Sequence, residues 1–255
     1  MPRSAIVPLD HLAEEPYFSV VCYPGASSAE MRSRMEELKF LKVEAIEFSG
    51  RSSAGAMSVL GKGHVGVVAT AHAGGRRMAL KMLRADSDYE SLEHESDLLE
   101  RANSVGVGPK LEAATDHFLL MQLIEGGPLE DVLAAHGDKP TVRKVLTDIL
   151  EQCWRLDGIG LDHGELFRAS KHIMVDGACV PFVVDFDSAS VWRNASNVTS
   201  VCHFLFFGDN DARRTVEGII GGRDRDGFVH ALRTYRKNRT RRSFEDLLEQ
   251  CFSDT

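Results

Sequence analysis

The sequence lacks the features that mark membrane, secreted and repetitive proteins. No apolar run approaches the roughly 20 residues needed to cross a bilayer. The N-terminus has no basic stretch followed by a long apolar core. We therefore expect a cytoplasmic protein with no membrane partner. Internal repeats and low-complexity tracts are also absent from the sequence.

Cysteine is scarce and scattered. The five cysteines are odd in number and include no CxxC pair, which argues against a disulfide framework and a zinc site. We expect reduced, mostly buried thiols. The cysteines are Cys22, Cys153, Cys179, Cys202 and Cys251.

Positive charge is also in deficit, with 30 Lys and Arg against 38 Asp and Glu. The net charge of -8 disfavours a general polyanion-binding protein, although it leaves room for a local basic patch. Hydrophobic residues make up 43% of the 255 residues and charged residues 27%, as in ordinary soluble enzymes. This length suffices for one large domain or a tightly joined two-lobed unit.

Hydrophobic periodicity divides the chain into a strand-rich first part and a helix-rich second part. The predicted helices are residues 29–40, 89–103, 129–135, 142–156, 211–220 and 244–251. The predicted strands are 42–48, two strands around a glycine turn in 58–72, then 77–83, 117–124, 173–175 and 182–184. Strands followed by helices indicate the α+β class.

A GxGxxGxV pattern lies between two predicted strands and comprises Gly61, Gly63, Gly66 and Val68. Glycines let the backbone approach phosphates closely, and the amide hydrogens of such a turn bind anions. A dinucleotide-binding motif would need a helix after the glycines, whereas a strand follows here. The pattern favours a hairpin that covers phosphates. A turn with a purely conformational need for glycine is the alternative.

Lys81 ends the next apolar strand, where its ammonium group could reach nucleotide phosphates. The alternative is an edge lysine kept in solvent. Glu95, on the following predicted helix, could pair with Lys81 and hold it in place, with Glu93 as the second choice. The charge pattern also allows an acidic helix with no pairing role.

Two acidic motifs follow in the second part: HGEL at residues 163–166, which leads into KHI at 171–173, and DFD at 185–187. An aspartate at the mouth of a buried strand can hold a metal ion that bridges nucleotide phosphates. Taken singly, such an aspartate is most often a turn or helix-cap residue. The four motifs in this order indicate an ATP-dependent phosphotransferase.

Over about residues 58–205, this ordered set resembles the protein-kinase-like superfamily. It is most similar to the small predicted serine/threonine kinases of archaea, which are related to RIO- and Bud-type atypical kinases and to aminoglycoside phosphotransferases. The resemblance implies a two-lobed kinase-like fold with no conventional activation segment. It places a strand-rich N-lobe at residues 58–124 and a helical C-lobe at 125–255. Residues 1–57 would form an extension that packs on the N-lobe.

The resemblance also implies ATP and either Mg²⁺ or Mn²⁺ as cofactors. Lys81 would contact the phosphates with support from Glu95, Asp185 would bind the metal, and residues 121–124 would form a hinge that meets adenine. The implied nucleotide-binding residues are Gly61, Lys62, Gly63, Gly66, Val68, Lys81, Glu95, Gln122 and Ile124. The implied catalytic residues are Glu165, Lys81 and Asp185.

Two positions depart from the family pattern near the expected catalytic acid. Glu165 stands where the family usually has an aspartate, which moves the carboxylate by about one methylene. Asp162 is the first alternative for that role. Ser170 stands where an asparagine usually supplies a second metal contact, so we assign that contact to His172, since imidazole suits manganese.

The leading expectation is a serine/threonine kinase that can also act on itself, with an unknown protein substrate. A small-molecule kinase of the aminoglycoside type and a nucleotide-binding pseudokinase are the alternatives. Residues 233–242 form a basic stretch that is a candidate contact for nucleic acid or the ribosome, or else a solvated face. Its basic residues are Arg233, Arg236, Lys237, Arg239, Arg241 and Arg242.

Overall fold

The structure, a computed structural model, describes residues 3–135 and 137–252. It is a mixed α+β fold with a large antiparallel sheet and several helices, which confirms the predicted class and is compatible with a two-lobed architecture. The predicted segments 1–57 and 125–255 include residues 1, 2, 136 and 253–255, which lie outside the described residues.

The chain forms two compact units. Unit 1 comprises the described residues up to Glu100 together with Pro109–Leu123. Unit 2 comprises Arg101–Gly108 and the described residues from Ile124 onward. The domain boundaries inferred from the sequence stay predictions.

Unit 1 is built on strands. Its strands are β1 (Ala5–Pro8), β2 (Val43–Phe48), β3 (Ser52–Ala54), β4 (Met57–Val59), β5 (Gly61–Lys62), β6 (Gly66–Ala73), β7 (Arg76–Leu83), β8 (Leu111–Ala114) and β9 (Phe118–Gln122). Its helices are α1 (Phe18–Val21), α2 (Ser28–Phe40) and the first part of α3 (Glu93–Ser104), with a short 3₁₀ helix at Leu9–His11. Among the described residues, one antiparallel sheet has the order β1-β2-β6-β7-β9-β8, with β5 paired to β6.

The hairpin of β6 and β7 lies at the centre of this sheet. Gly74 and Gly75 both have positive φ, which a two-residue hairpin turn requires. The register places Val68 opposite Lys81. Because β7 pairs with β6 on one side and β9 on the other, Lys81 lies on an interior strand. The alternative of an edge lysine is therefore wrong.

The described residues up to position 57 contribute to one hydrophobic core with this hairpin. Helix α2 and strand β2 match the predicted segments, and their buried residues pack with those of β6, β7 and β9. Arg34 of α2 is fully buried and donates hydrogen bonds to the carbonyls of Val21 and Leu83 at 2.7 and 2.6 Å. It thus fastens α2 to the end of β7.

Unit 2 is mainly helical. A small antiparallel sheet has the order β10 (Gly126–Pro128), β11 (Ile173–Asp176) and β12 (Pro181–Val183). The helices are α4 (Leu129–Ala135), α5 (Lys139–Gly158), α6 (Asn197–Phe206), α7 (Asp211–Ile220), α8 (Arg225–Asn238) and α9 (Arg241–Phe252), with a 3₁₀ helix at Leu166–Lys171.

Helix boundaries follow local capping. Helix α5 begins three residues before the predicted start, because Asp138 caps it by accepting a 2.9 Å hydrogen bond from Thr141 N. Helix α3 begins four residues later than predicted, at Glu93, whose backbone N donates to Ser91 Oγ at 3.4 Å. Helices α6 and α8 were not predicted.

Candidate active site

Lys81 and Glu95 form a buried ion pair inside unit 1. Lys81 Nζ lies 2.7 Å from Glu95 Oε1, and the two residues are only 4% and 6% exposed. The central strand β7 positions the lysine, and the first turn of α3 positions the glutamate. Glu93, the second choice, is exposed. The structure thus brings together the pair that the sequence favoured.

The glycine motif packs directly on this lysine. A Cβ added at Gly66 would lie 3.0 Å from both Cε and Cγ of Lys81 and 3.1 Å from Met82 O. The same addition at Gly61 would meet nothing within 4 Å. None of Gly61, Gly63 and Gly66 has a positive φ, so their backbone conformation does not require glycine. At Gly66 the requirement is room for the Lys81 side chain.

Tyr23 supports the turn between β5 and β6, a role that no sequence motif predicts. Lys62 Nζ and Arg84 Cζ each lie 5.3 Å from the centroid of the Tyr23 ring. Arg84 also donates a 3.0 Å hydrogen bond to Gly63 O. Its hydrogen bond to Asp86 lowers the pKa of that carboxyl group. These contacts connect the first 57 residues to the glycine turn.

The first two of the predicted hinge residues 121–124 belong to strand β9. Gln122 ends β9, donates its backbone N–H to Lys110 O at 2.8 Å and has an exposed side chain. Ile124 is half-buried. Adenine recognition by residues 121–124 stays a prediction.

Glu165, His172 and Asp185 lie together in unit 2. His172 Nε2 is 3.0 Å from Glu165 Oε2, and His172 Nδ1 is 3.9 Å from Asp185 Oδ2. The register pairs Ile173 with Val183, and a hydrogen bond from Val184 N to His172 O continues the pairing. Strands β11 and β12 therefore bring His172 and Asp185 side by side. His172 is buried, whereas the two carboxylates are half exposed.

The donor atoms of His172 and Asp185 suit a small divalent cation. His172 Nδ1 is buried and has no hydrogen-bond partner. Adjacent ligands of an octahedral ion at about 2.1 Å lie about 3.0 Å apart, so the 3.9 Å separation of Nδ1 from Asp185 Oδ2 would have to shorten on metal binding. No group of three or more His, Cys, Asp or Glu residues within the described ranges is arranged to hold a metal. Further ligands would be water or phosphate oxygens, which Mg²⁺ commonly keeps.

His163, the first residue of the HGEL motif, supports the segment that carries Asp185. Its Nε2 lies 3.0 Å from Val184 O, and its backbone N–H donates to Asn197 Oδ1 at 2.9 Å. Burial lowers the pKa of His163 to about 4, so the ring is neutral at pH 7. Since a carbonyl only accepts, Nε2 carries the proton. His163 therefore acts as a packing and hydrogen-bonding residue.

The side chain of Asp162, the alternative to Glu165, is engaged in hydrogen bonds with neighbouring residues. Its side chain accepts hydrogen bonds from Arg193 Nε at 2.9 Å and from Ser196 N at 3.1 Å. Its backbone N and O pair with Ser190 at 2.9 and 2.8 Å. These contacts give Asp162 a structural role and favour Glu165 as the available carboxylate.

Unit 2 also contains a buried polar network around Asp157 that the sequence did not predict. Asp157 accepts hydrogen bonds from Asn197 N and Nδ2 at 2.9 and 2.8 Å and from Tyr235 OH at 2.8 Å. Burial raises the pKa of Asp157. Asn197 in turn fixes the backbone of His163. No local pattern could find the network, because its members come from three distant helices.

The basic stretch is less uniform than its sequence. Arg241 pairs with Glu151 at 2.7 Å and lies 4.9 Å from the centroid of the Trp154 ring. Arg239 donates to Ala195 O, so these two arginines are engaged within unit 2. Arg239 is half-buried, and the other basic residues of the stretch are exposed: Arg233, Arg236, Lys237, Arg241 and Arg242. A nucleic-acid or ribosome contact there stays a prediction.

None of the helices in the described part of the chain combines the length and apolar content needed to cross a membrane.

Comparison with known proteins gives two partial similarities. No protein-family model matches the chain. The chain is 27% identical over 118 residues to an uncharacterized protein of Methanocaldococcus jannaschii, a match that covers 46% of this chain and 99% of that protein. It is 24% identical over 141 residues to serine/threonine-protein kinase RAD53 of Saccharomyces cerevisiae, covering 52% of this chain and 17% of the yeast protein. These weak similarities point to a kinase-like protein and to nothing finer.

Proposed function

We propose that this protein transfers the γ-phosphoryl group of ATP to a protein hydroxyl, as a serine/threonine kinase does, with itself as one substrate. The observation that carries the proposal is the buried ion pair of Lys81 and Glu95. A buried pair gains little stability over apolar residues of similar volume, because both charges lose their hydration. A function for the lysine explains the pair better than stability does.

The residues of unit 1 suit the phosphates of ATP. Glu95 fixes the position and charge of the Lys81 ammonium group, which would contact phosphate oxygens. A Cβ would meet nothing within 4 Å at Gly61 and only Gly66 O, at 3.8 Å, at Gly63, so the backbone of the turn can approach an anion. The nearby Lys62 and Arg84 add positive charge to the same turn.

The residues of unit 2 suit the metal and the acceptor. Asp185 and His172 would hold Mg²⁺ or Mn²⁺, which neutralises phosphate charge when bound. Glu165 would orient the acceptor hydroxyl and take its proton. The hydroxyl oxygen then forms a bond to the γ-phosphorus as the bond to the bridging oxygen breaks and ADP leaves.

A nucleotide-binding protein without transfer activity is the second candidate, and one contact favours it. Glu165 Oε2 already lies 3.0 Å from His172 Nε2, so the acceptor would have to share this carboxylate with the imidazole. A small-molecule kinase of the aminoglycoside type shares the same nucleotide residues. Label found on an added small acceptor, with none on protein, would favour it over the protein kinase.

Nucleotide binding is the first step to test. ATP with Mg²⁺ or Mn²⁺ should raise the melting temperature, because a ligand that binds only the folded state stabilises it. Adenosine should give a smaller shift, since it lacks the phosphates that Lys81 would contact. The double variant Lys81→Met/Glu95→Leu, which replaces the ion pair with apolar side chains, should lose most of the ATP shift. No shift of the unsubstituted protein at millimolar ATP would remove the proposal.

A further inference from the structure

Unit 2 contains a second site of distinct chemistry at the junction of α6, α7 and α8. A cavity of about 280 Å³ lies there, lined by aromatic rings and guanidinium groups. Its principal lining residues are Phe206, Phe207, Phe228, Arg213, Arg223 and Arg225. The motifs of the proposed transferase do not include any of these residues.

Arg223 is the central polar group of this cavity. Its guanidinium carbon lies 4.1 Å from the centroid of the Phe206 ring, so one face of the group is covered by an aromatic side chain. Its Nη2 makes a long 3.4 Å hydrogen bond to Gly221 O, and its Nε is buried with no hydrogen-bond partner. Burial lowers the pKa of this side chain. A negative charge in the cavity beside this partly desolvated guanidinium would therefore be stabilising.

The charges around the cavity do not cancel. Arg213 Nη1 pairs with Glu217 Oε2 at 2.5 Å, which neutralises one arginine. Arg223 and Arg225 remain, so the lining carries an excess of two positive charges from three arginines and one glutamate. Asp224 is nearby, but its carboxylate caps α8 by accepting from Asp226 N and Gly227 N. A phosphomonoester carries about -1.5 to -2 charge at pH 7, which matches this excess.

We infer that this cavity binds a phosphomonoester whose substituent is flat and apolar, such as an aryl phosphate. The planar guanidinium fork of Arg223 suits two phosphate oxygens, and Arg225 adds the second charge. The phenylalanine rings provide an apolar wall for the substituent. The volume of about 280 Å³ lies just below the range of drug-sized ligand pockets, so the ligand is small.

Calorimetric titration with phenyl phosphate tests the site. Phenyl phosphate should bind, phenol should not, and inorganic phosphate should bind more weakly because it lacks the ring. Arg223→Gln should lower the affinity for phenyl phosphate at least tenfold. Arg214→Gln is the matched control, since Arg214 lies on α7 outside the cavity lining and pairs with Asp209 and Asp211 at 2.7 Å each. That variant should bind as the unsubstituted protein does.

Arg225→Gln provides a second variant, because Arg225 is exposed and its loss should not affect folding. This variant should also lower the affinity for phenyl phosphate. Titrations with a phosphotyrosine peptide and with AMP then identify the source of the phosphate by which of the two binds more tightly. Repeating the titration in Lys81→Met/Glu95→Leu separates this site from the proposed ATP site, because binding here should persist. No binding at millimolar phenyl phosphate would overturn the inference, and so would binding by Arg223→Gln and Arg225→Gln that is as tight as that of the unsubstituted protein.

Discussion

Lys81 and Glu95 come from a central strand and from a helix, yet their charged atoms lie 2.7 Å apart in a buried position. The sequence left open the expectation of an edge lysine kept in solvent. The structure corrects that expectation, since both residues are buried and removal of either one breaks a buried charge pair.

Lys81→Met should therefore lower the free energy of unfolding by about 3–5 kcal/mol. Lys81→Met/Glu95→Leu should recover most of that loss, because both charges of the pair are removed together. Urea unfolding of the two variants measures both effects. A single variant as stable as the unsubstituted protein would show that the buried ion pair does not form.

Gly66→Ala should displace Lys81, because the added methyl group would lie 3.0 Å from two carbons of the lysine side chain. We expect a lower melting temperature and a smaller stabilisation by ATP. Gly61→Ala is the matched control for stability, since its methyl group would meet nothing within 4 Å. If the two variants have the same melting temperature, the close packing of Gly66 on Lys81 does not contribute to stability.

Glu165→Gln should cut turnover about a hundredfold or more while ATP affinity stays nearly unchanged, because the change affects acceptor positioning and proton removal. Glu165→Asp should be tolerated. Asp162→Asn should instead lower stability, since Asp162 holds Arg193 and the backbone of Ser196. Steady-state kinetics and thermal melting of the three variants separate these roles. Normal turnover in Glu165→Gln would withdraw the catalytic role from this residue.

Glu47 gives the fold of unit 1 a defined pH dependence. Burial alone would raise the pKa of Glu47, but hydrogen bonds from Ser49, His72 and Arg77 hold it below its ordinary value of 4.5. An acid with a lowered pKa in the folded state stabilises the fold above its unfolded pKa. That contribution is lost as the pH falls through the lower folded value.

Glu47→Gln should thus lower the free energy of unfolding by roughly 1 kcal/mol at pH 6, and the difference from the unsubstituted protein should shrink towards pH 3. Urea unfolding at the two pH values checks the sign. A difference that grows at low pH would contradict the assignment.

Periodicity predicts elements that bury one face. Helix α7 matches its predicted bounds because a single apolar stripe, with Val216 and Ile220 buried, faces the core. Helix α6 shows no such stripe, since most of its residues are apolar and buried. Helix α8 is difficult to predict because basic residues dominate the second half of its sequence. Its buried Phe228 and Tyr235 show the helical spacing that charge obscured.

The candidate site divides in the same way. The order of motifs along the chain predicts Lys81, Glu95 and Asp185 as site residues, and the structure pairs the first two, while their functional roles stay predictions. The partners of Asp157, namely Asn197 and Tyr235, are 40 and 78 residues away in the sequence. Only tertiary packing brings such residues together, so no local pattern could predict them.

Transfer of label from γ-labelled ATP to protein would demonstrate the proposed kinase activity. The purified protein is incubated with labelled ATP and either Mg²⁺ or Mn²⁺, with a generic protein acceptor present, and protein-bound label is measured. We predict that label appears on protein with the unsubstituted chain and not with Lys81→Met/Glu95→Leu. The double variant should have the same melting temperature as the unsubstituted chain in the absence of ATP, so that loss of label does not reflect unfolding. The account is contradicted if no label appears although ATP raises the melting temperature, or if the double variant is labelled equally.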